Sequence, residues 1–577
     1  MSASAESLVS GDILAALLFD WLQSGSETER ETLSAVFDVA ERLANDAFLT
    51  HYRAADIEEP RLETDGVHIL PAIREALTQF RDLGFFGTSF PEEQGGLGLS
   101  SAGSLAVFSI FASASLATAA YPMLTAANAR LICAFGTDRQ RETFAAPEIA
   151  GQWFGTMCLS EPQAGSSLGD IRTRAVPEGQ DELGHRHRIT GNKMWISGGD
   201  QNASENIVHL VLAKVVAPDG SLPAGSKGIS LFIVPKILPD GTRNDLAVAG
   251  LNHKLGYRGT ANCLLNFGEQ NGAIGWRVGK EGHGLAQMFM MMNEARISVG
   301  ISAAALAYRG YRQSRRYALE RLQGRPPGAQ AGAPVPIIEH PDVRRMLLQQ
   351  RVYAEGALAL CLYCANLVDR GGAEAEELLA LLTPAAKSWP SEFGLIANDL
   401  AIQIHGGYGY TRDFDVEQLW RDNRLNPIHE GTTGIQAIDL LRRKIILSDG
   451  SAFETLLAHV WKTVDRARGT PQWATEARSL VDFWTRIERF VARVRASRSD
   501  DVLAEATLFL RAFGHGLVAW LWLDQATALS KHLESRRDTA HACAFFFRTE
   551  LPQAHGWMTV VETACDGWLT MPDEALA

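Results

Sequence analysis

A single carboxylate stands in a setting that suits proton transfer. Residues 427–436 read PIHEGTTGIQ, so Glu430 precedes a Gly-Thr-Thr-Gly turn, after an arginine-rich stretch and before an apolar run. A carboxylate in this position can cap a helix, pair with a neighbouring arginine or remove a proton from a bound molecule. These ten residues alone leave all three roles open.

Three further stretches carry residues suited to binding a polar or planar ligand. Residues 157–167 (MCLSEPQAGSS) place hydroxyls beside glycine, and such a loop can donate several hydrogen bonds to a phosphate or form a simple turn. Residues 191–200 (GNKMWISGGD) put Trp195 and Ser197 on a β-run, where the indole can face a ring or pack in the core. Residues 403–412 (QIHGGYGYTR) hold three glycines in four positions, which lets the backbone approach a ligand or ends a helix.

The elements that must position these stretches divide the chain into four segments. Residues 1–155 space apolar residues by three and four, which predicts helices. Residues 156–275 contain short β-rich runs between Gly, Pro, Asp and Asn turns, which predicts a small β-domain. Residues 276–448 return to long helices, and residues 449–577 form a further helical block with an apolar stripe through Phe483, Ile487, Phe490 and Val494.

Composition narrows the class of protein. The chain has 577 residues, too many for one core, with 46% hydrophobic and 21% charged residues, as in soluble enzymes. Its net charge of −13 argues against non-specific binding to nucleic acid. The N-terminus lacks the features of a signal peptide, and the apolar run 509–523 is too short for a membrane span. We therefore expect a cytoplasmic protein with no membrane span.

Cysteine usage points the same way. Seven scattered cysteines, an odd number, suit a reducing compartment rather than a disulfide framework. Cys361 and Cys364 form a CxxC pair inside an apolar helical stretch, with no second pair to complete a zinc site. We interpret them as buried thiols and predict no metal site.

Taken in order, the stretches resemble the acyl-CoA dehydrogenase family. The elements CLSEP.AGS, K.WIS.G, HK.G.RG, Q..GG.GY and EGT..IQ stand in family order between about residue 30 and residue 448. The extra block at 449–577 is similar to that of the longer bacterial subgroup. The resemblance implies a mostly helical α+β fold: an N-terminal helical domain, a central β-barrel-like domain, a C-terminal four-helix bundle and an additional C-terminal helical block.

The resemblance also implies a reaction. It is the FAD-dependent α,β-dehydrogenation of an acyl-CoA thioester to the trans-2-enoyl-CoA, with electrons passed to an electron-transfer flavoprotein. Glu430 matches the family's base in the EGT motif, and its own N–H would donate to the thioester oxygen. Some members place the base on an earlier helix, at the position of Ala295 here, which cannot act. The adjacent Glu294 is a second candidate, although one residue along a helix turns the side chain by about 100°.

Family positions assign further residues to ligands. For FAD they are Ser160, Ser166, Trp195, Ser197 and Thr432, with Arg321, Gln403 and Gly407 reaching the cofactor of a neighbouring subunit. For the substrate they are Arg296, Ser166 and Gly431. The contacts between subunits imply a homodimer or homotetramer. The chain departs from the family pattern at Gln163, Ser167 and Gly324.

Two alternative functions and one ambiguous segment accompany this interpretation. A flavin-dependent acyl-CoA oxidase or monooxygenase would use the same scaffold with oxygen. A nucleic-acid-binding relative with a vestigial flavin site would need a basic C-terminal block, but the arginines of residues 486–498 alternate with acids and apolar positions. Met288, Met290, Met291 and Met292 either line the acyl pocket or fill the core.

Overall fold

A computed structural model describes residues 7–326, 328–498, 501–529, 537–563 and 571–576. The chain forms two compact units, one of residues Val36–Ala295 and the other of residues Met1–Ala35 together with Arg296–Ala577. We refer to them as the strand unit and the helical unit.

Helices and strands follow in this order along the chain. The helices are α1 Gly11–Ala15, α2 Glu27–Leu43, α3 Tyr52–Ile57, α4 Pro71–Asp82, α5 Ser101–Phe135, α6 Asp138–Gln140, α7 Ala146–Ile149, α8 Gly284–Glu320, α9 Pro341–Arg370, α10 Ala373–His405, α11 Val416–Asn423, α12 Thr433–Ile438, α13 Ser451–Arg468, α14 Ala474–Ser497, α15 Ala506–Ala528, α16 Arg537–Phe545 and α17 Leu551–Thr563. The strands are β1 Arg61–Glu63, β2 Gly66–His68, β3 Trp153–Cys158, β4 Arg174–Asp181, β5 Gly184–Ser197, β6 Asn206–Val215, β7 Ile229–Pro235, β8 Leu246–Leu251, β9 Asn262–Phe267, β10 Ala273–Val278, β11 Leu322–Gln323 and β12 Val335–Pro336.

The sheet of the strand unit closes on itself. Its order is β10-β7-β6-β4-β5-β9-β8, with β3 paired to β6, and β10 also pairs with β5. The strands β10, β7, β6, β4 and β5 therefore form a ring, which confirms the prediction of a barrel-like domain. Strand β6 is buried at all but its last residue, as its continuous apolar run requires.

One segment that was predicted to be helical also contains a hairpin. Strands β1 and β2 pair antiparallel within the first 155 residues, with Glu63 opposite Gly66. The turn is possible because Gly66 adopts φ +141°, a value that other residues avoid. The strands have only three residues each, which is too short for an alternating pattern to stand out among helices.

The extra C-terminal block packs inside the helical unit. Helix α15 contacts α9, α10, α12, α13 and α14. Two polar contacts fix it to α10: Trp389 Nε1 donates to His515 Nδ1 at 2.9 Å, and Arg511 Nε donates to Glu392 Oε2 at 2.7 Å. The block therefore braces α10 and lies against α12, which follows Glu430.

Burial agrees with the apolar patterns of the sequence. The stripe on α14, formed by Phe483, Ile487, Phe490 and Val494, is buried as predicted. Cys361 and Cys364 are buried too, and burial raises the pKa of both thiols above its usual range.

Among the described residues, α5, α9 and the segment Asp501–Ala528 are long and apolar enough to cross a membrane, but 89%, 78% and 72% of their most apolar windows are buried within the protein.

Candidate active site

The chain turns sharply at Glu430 and Gly431. Their φ values are +52° and +88°, and a positive φ in a glutamate is a strained conformation that is typical of functional sites. A Cβ atom on Gly431 would lie 2.7 Å from Gln436 Nε2, so the second position requires glycine. Side chains hold both carbonyls of this turn: Gln436 Nε2 donates to Glu430 O and Lys387 Nζ donates to Gly431 O, each at 2.8 Å.

The backbone N–H of Glu430 has no acceptor among the residues that the structure describes. The two peptide units that follow it are held by Gln436 and Lys387. A preorganised N–H beside a carboxylate is the arrangement that can stabilise a developing negative charge on a bound oxygen while the carboxylate takes a proton.

The charges around Glu430 suit a proton acceptor. Glu430 is half-buried, and burial raises the pKa of its carboxyl although the nearby Arg296 and Lys387 cations oppose this. Lys387 is fully buried, which lowers the pKa of its ammonium to about 8. Arg296 is buried against Asp439, with Nη1 and Oδ2 3.0 Å apart. A carboxyl with a raised pKa is a better proton acceptor once it is ionised, and the two cations favour the ionised form.

A chain of buried asparagines positions the loop that precedes Glu430. Asn423 Nδ2 donates to Asn398 Oδ1 at 2.7 Å, and Asn426 Nδ2 donates to Asn423 Oδ1 at 2.9 Å. The chain ends at His429, whose Nε2 lies 3.1 Å from Asn426 Oδ1. Burial lowers the pKa of this imidazole to about 3, so it is neutral at physiological pH. Sequence reasoning missed the chain, although two of its members stand in the RDNRLN run before Glu430.

Asn423→Ala should therefore destabilise the helical unit. The substitution removes three hydrogen bonds and leaves the buried Ala303 O, Asn398 Oδ1 and Asn426 Nδ2 atoms without these partners, at a cost of about 2 kcal/mol or more. The midpoint of thermal unfolding should fall by several degrees. Asn192→Ala, at an exposed asparagine of the strand unit, is the matched control and should leave the midpoint nearly unchanged. Equal midpoints for both variants would show that the asparagine chain does not stabilise this loop.

In the strand unit, the sheet presents Trp195 outward. The pairing of β5 with β9 shifts register between Lys193 and Ile196, and Trp195 lies in this bulge with φ +66°. Its side chain is 58% exposed, which is unusual for an indole that could pack in the core. Ser197 Oγ accepts from Asn262 Nδ2 at 3.2 Å, so its own hydroxyl hydrogen can donate elsewhere. An exposed aromatic plane on a strained backbone suits the flat ring of a cofactor.

A buried ion pair lies beneath this surface. Lys193 Nζ is 3.0 Å from Glu161 Oε1, and both side chains are almost fully buried. Glu161 also accepts hydrogen bonds from the hydroxyl and N–H of Thr173 and from the N–H of Arg172. Burial raises the pKa of Glu161, but the Lys193 ammonium and these hydrogen bonds outweigh it, so the pKa falls to about 2.

The ion pair joins the predicted cofactor residues of this unit. Glu161 belongs to the same loop as Ser160 and the exposed Ser166, while Lys193 is two residues from Trp195. The N–H of Met194 donates to Ser160 O at 3.0 Å, which fixes loop to strand directly. The structure thus brings Ser160 and Trp195 onto neighbouring segments.

Four predicted residues lie on the surface of the helical unit: Arg321, Gln403, Gly407 and Thr432. Arg321 follows α8 and Gln403 lies near the end of α10. These two helix ends are joined by a core cluster that contains Ala318 and Ile404. Thr432 precedes α12, and its carbonyl accepts from the N–H of Gln436 at 3.0 Å.

The second candidate base is engaged elsewhere. Glu294 forms an ion pair with Arg130 inside the strand unit. Met288 is buried in the core of the same unit, which favours its role as core filler. The side chains of Met290, Met291 and Met292 lie outside the described residues.

Comparison with known families decides what kind of protein carries these features. Models of the acyl-CoA dehydrogenase N-terminal, middle and C-terminal domains match residues 31–152, 156–269 and 282–445. The chain belongs to the acyl-CoA dehydrogenase family. A model described as acetyl-CoA dehydrogenase C-terminal like matches residues 456–572, so the extra block is also part of a known architecture.

Similar acyl-CoA dehydrogenases support this membership. The 3-methylmercaptopropionyl-CoA dehydrogenase of Ruegeria pomeroyi is 38% identical over 74% of this chain and 73% of its own length. The broad-specificity linear acyl-CoA dehydrogenase FadE5 of Mycobacterium tuberculosis is 32% identical over 93% and 92%. The solved structure of an acyl-CoA dehydrogenase complexed with FAD from Bacillus anthracis has a TM-score of 0.74 at 20% identity, covering 96% of this chain and 91% of that one.

The acyl-CoA dehydrogenases are FAD-dependent oxidoreductases, and this protein is one of them. The residues present fit the cofactor, because Trp195 offers an exposed ring face and the loop that carries Ser160 and Ser166 offers hydroxyl donors. The cofactor and fold that the sequence predicted are therefore confirmed.

Proposed function

We propose that this acyl-CoA dehydrogenase converts a saturated acyl-CoA to the trans-2-enoyl-CoA, with Glu430 as the base and an electron-transfer flavoprotein as electron acceptor. One observation carries the proposal. Glu430 is a half-buried carboxyl with a raised pKa on a strained turn. Side chains donate hydrogen bonds to both carbonyls of this turn, and the N–H of Glu430 has no acceptor among the described residues.

The residues of the turn divide the reaction between them. The Glu430 carboxylate removes the α-proton, which is only weakly acidic and needs a base in a water-poor setting. The Glu430 N–H donates to the thioester oxygen and stabilises the charge that develops there. FAD, when bound, supplies the acceptor for the β-hydrogen as hydride. Gln436 and Lys387 hold the turn in this conformation through their hydrogen bonds to its carbonyls.

The remaining roles extend the proposal. Ser160, Ser166, Trp195, Ser197 and Thr432 hold FAD, and Ser166, Arg296 and Gly431 face the substrate. Arg321, Gln403 and Gly407 contact the FAD of a second subunit in a homodimer or homotetramer. All three are exposed on the helical unit, as such a contact requires. The domain boundaries are 1–155, 156–275, 276–448 and 449–577, and the enzyme is cytoplasmic.

The purified protein should show the absorption bands of oxidised flavin. A panel of saturated acyl-CoAs, added without oxygen, should bleach the band near the visible maximum, and the fastest chain length identifies the substrate class. An electron-transfer flavoprotein should restore turnover, whereas air alone should restore it slowly. Rapid oxygen consumption without the acceptor protein would instead indicate an acyl-CoA oxidase. A bound flavin that no acyl-CoA reduces would contradict the proposed reaction.

A further inference from the structure

Lys387 is a buried cation in the middle of α10. Its side chain is fully buried, and among the described residues its only hydrogen-bond acceptor is the Gly431 carbonyl at 2.8 Å. An ammonium has three donors, so two of them lack a partner in this part of the chain. Burying a charge with so little compensation is costly, and proteins retain such an arrangement where the charge has a use.

The neighbouring charges identify that use. Glu430, Arg296 and Glu392 act on Lys387 electrostatically, and His429 lies close but is neutral. Arg296 is bound to Asp439, and Glu392 is bound to Arg511. Glu430, by contrast, forms no ion pair among the described residues. It is therefore the one carboxylate of this set whose charge Lys387 can balance without competition from a nearer partner.

The position of Lys387 is fixed by its helix. Trp389, two residues along α10, donates to His515, and Glu392 pairs with Arg511, both on α15 of the extra block. These two contacts hold α10 against α15 at Trp389 and Glu392, within five residues of Lys387. The ammonium is thereby kept under the Glu430–Gly431 turn rather than moving toward solvent.

We propose that Lys387 is a positioning residue for the proton transfer: its ammonium fixes the Glu430–Gly431 turn through the Gly431 carbonyl and balances the charge of Glu430 as a carboxylate. The inference rests on the proposed role of Glu430 as the base. It assigns the extra block a purpose as well, since α15 is one of the helices that hold the lysine-bearing helix in place.

Removal of the Lys387 charge should change how the activity depends on pH. Glu430 acts as a carboxylate, so the rate falls as pH drops through the pKa of this group. Without the Lys387 cation the carboxylate is less stable, and the acid limb of the profile should move to higher pH. Arg296 on α8 still opposes the shift, while Asp439 partly neutralises Arg296. We expect a movement of about one pH unit.

The test compares wild-type holoenzyme with Lys387→Met, Lys387→Arg and the exposed control Lys462→Met on α13. Flavin content and thermal midpoint are measured first. The rate of anaerobic flavin reduction by an acyl-CoA is then followed from pH 5 to pH 9. Independently of flavin reduction, exchange of the α-protons of a 3-thiaacyl-CoA for deuterium is followed by NMR, because the thioether at the β-position blocks hydride transfer.

The Met variant should keep its flavin, lose about tenfold in both rates at pH 7, and show the shifted acid limb, with the KM for acyl-CoA little changed. Arginine should restore the wild-type acid limb, and the Lys462→Met control should match wild type. A Met variant with an unchanged acid limb and unchanged proton exchange would overturn the role of Lys387. If Met prevents flavin retention, Lys387→Gln takes its place and the same shift is required of it. Failure of the wild-type enzyme to be reduced by any acyl-CoA would instead overturn the proposed function.

Discussion

Glu430→Gln should lower the rate of anaerobic flavin reduction by acyl-CoA about 10³-fold, within the 10²–10⁴ range that a positioned base contributes. Glutamine has nearly the shape of glutamate and can keep the turn, but it cannot accept the α-proton. The flavin spectrum and the thermal midpoint should therefore stay close to those of wild type. Stopped-flow absorbance with the best substrate of the panel measures the effect.

Glu294 provides the sharpest comparison for this result, because it is the carboxylate adjacent to Ala295, where some family members carry the base. It is already paired with Arg130 in the strand unit, so Glu294→Gln should reduce the rate far less than Glu430→Gln. The opposite ranking, with Glu294→Gln inactive and Glu430→Gln active, would move the base to α8. A strong loss in both variants would mean that neither residue alone accounts for proton removal.

The motif around Glu430 could be recognised from sequence, but the long-range contacts that hold its turn could not. EGT..IQ is a local pattern, and its place after the other family motifs is enough to predict the acid and the glycine after it. The lysine that holds the turn is 44 residues away in sequence. Nothing in the apolar run around Lys387 indicates that its side chain folds back under Gly431. Long-range hydrogen bonds of this kind depend on how α10 packs, which no local pattern encodes.

Because only local patterns can be recognised in a sequence, the long strands were predicted, whereas a short hairpin and a buried hydrogen-bonded chain were missed. Runs such as 207–215 and 229–235 are continuous and apolar, and they became β6 and β7 almost residue for residue. The hairpin β1–β2 is too short to generate a pattern. The asparagine chain from Asn398 to His429 was missed for a different reason. Asparagine ordinarily predicts a surface loop, and only the folded helices reveal that each amide meets another in the interior.

Lys193→Met should be the most damaging single change in the strand unit. It leaves Glu161 buried without its cation, and breaking a buried pair from one side costs about 3–5 kcal/mol. We expect a marked fall in the thermal midpoint and weakened retention of FAD, because the loop with Ser160 loses both of its contacts with the Lys193 ammonium and is left with the backbone bond from Met194. Arg188→Met, which breaks a half-exposed pair with Glu178 in the same unit, should cost about 1 kcal/mol or less.

The double variant Lys193→Met, Glu161→Gln distinguishes the effect of a buried unpaired charge from the effect of losing the contact between Lys193 and the loop. Removing both charges abolishes the uncompensated carboxylate, so stability should recover in part relative to Lys193→Met, whereas FAD retention should not, since the Lys193 contacts with the loop are still missing. The pH dependence offers a second check. The pKa of Glu161 is about 2 in the folded protein, below its ordinary value, so the pair stabilises fully above the unfolded pKa and its contribution is lost as pH falls toward 2. Wild type should therefore lose its advantage over the double variant in acid. An advantage that kept its full size below pH 2 would show that the pair stabilises through packing rather than through charge.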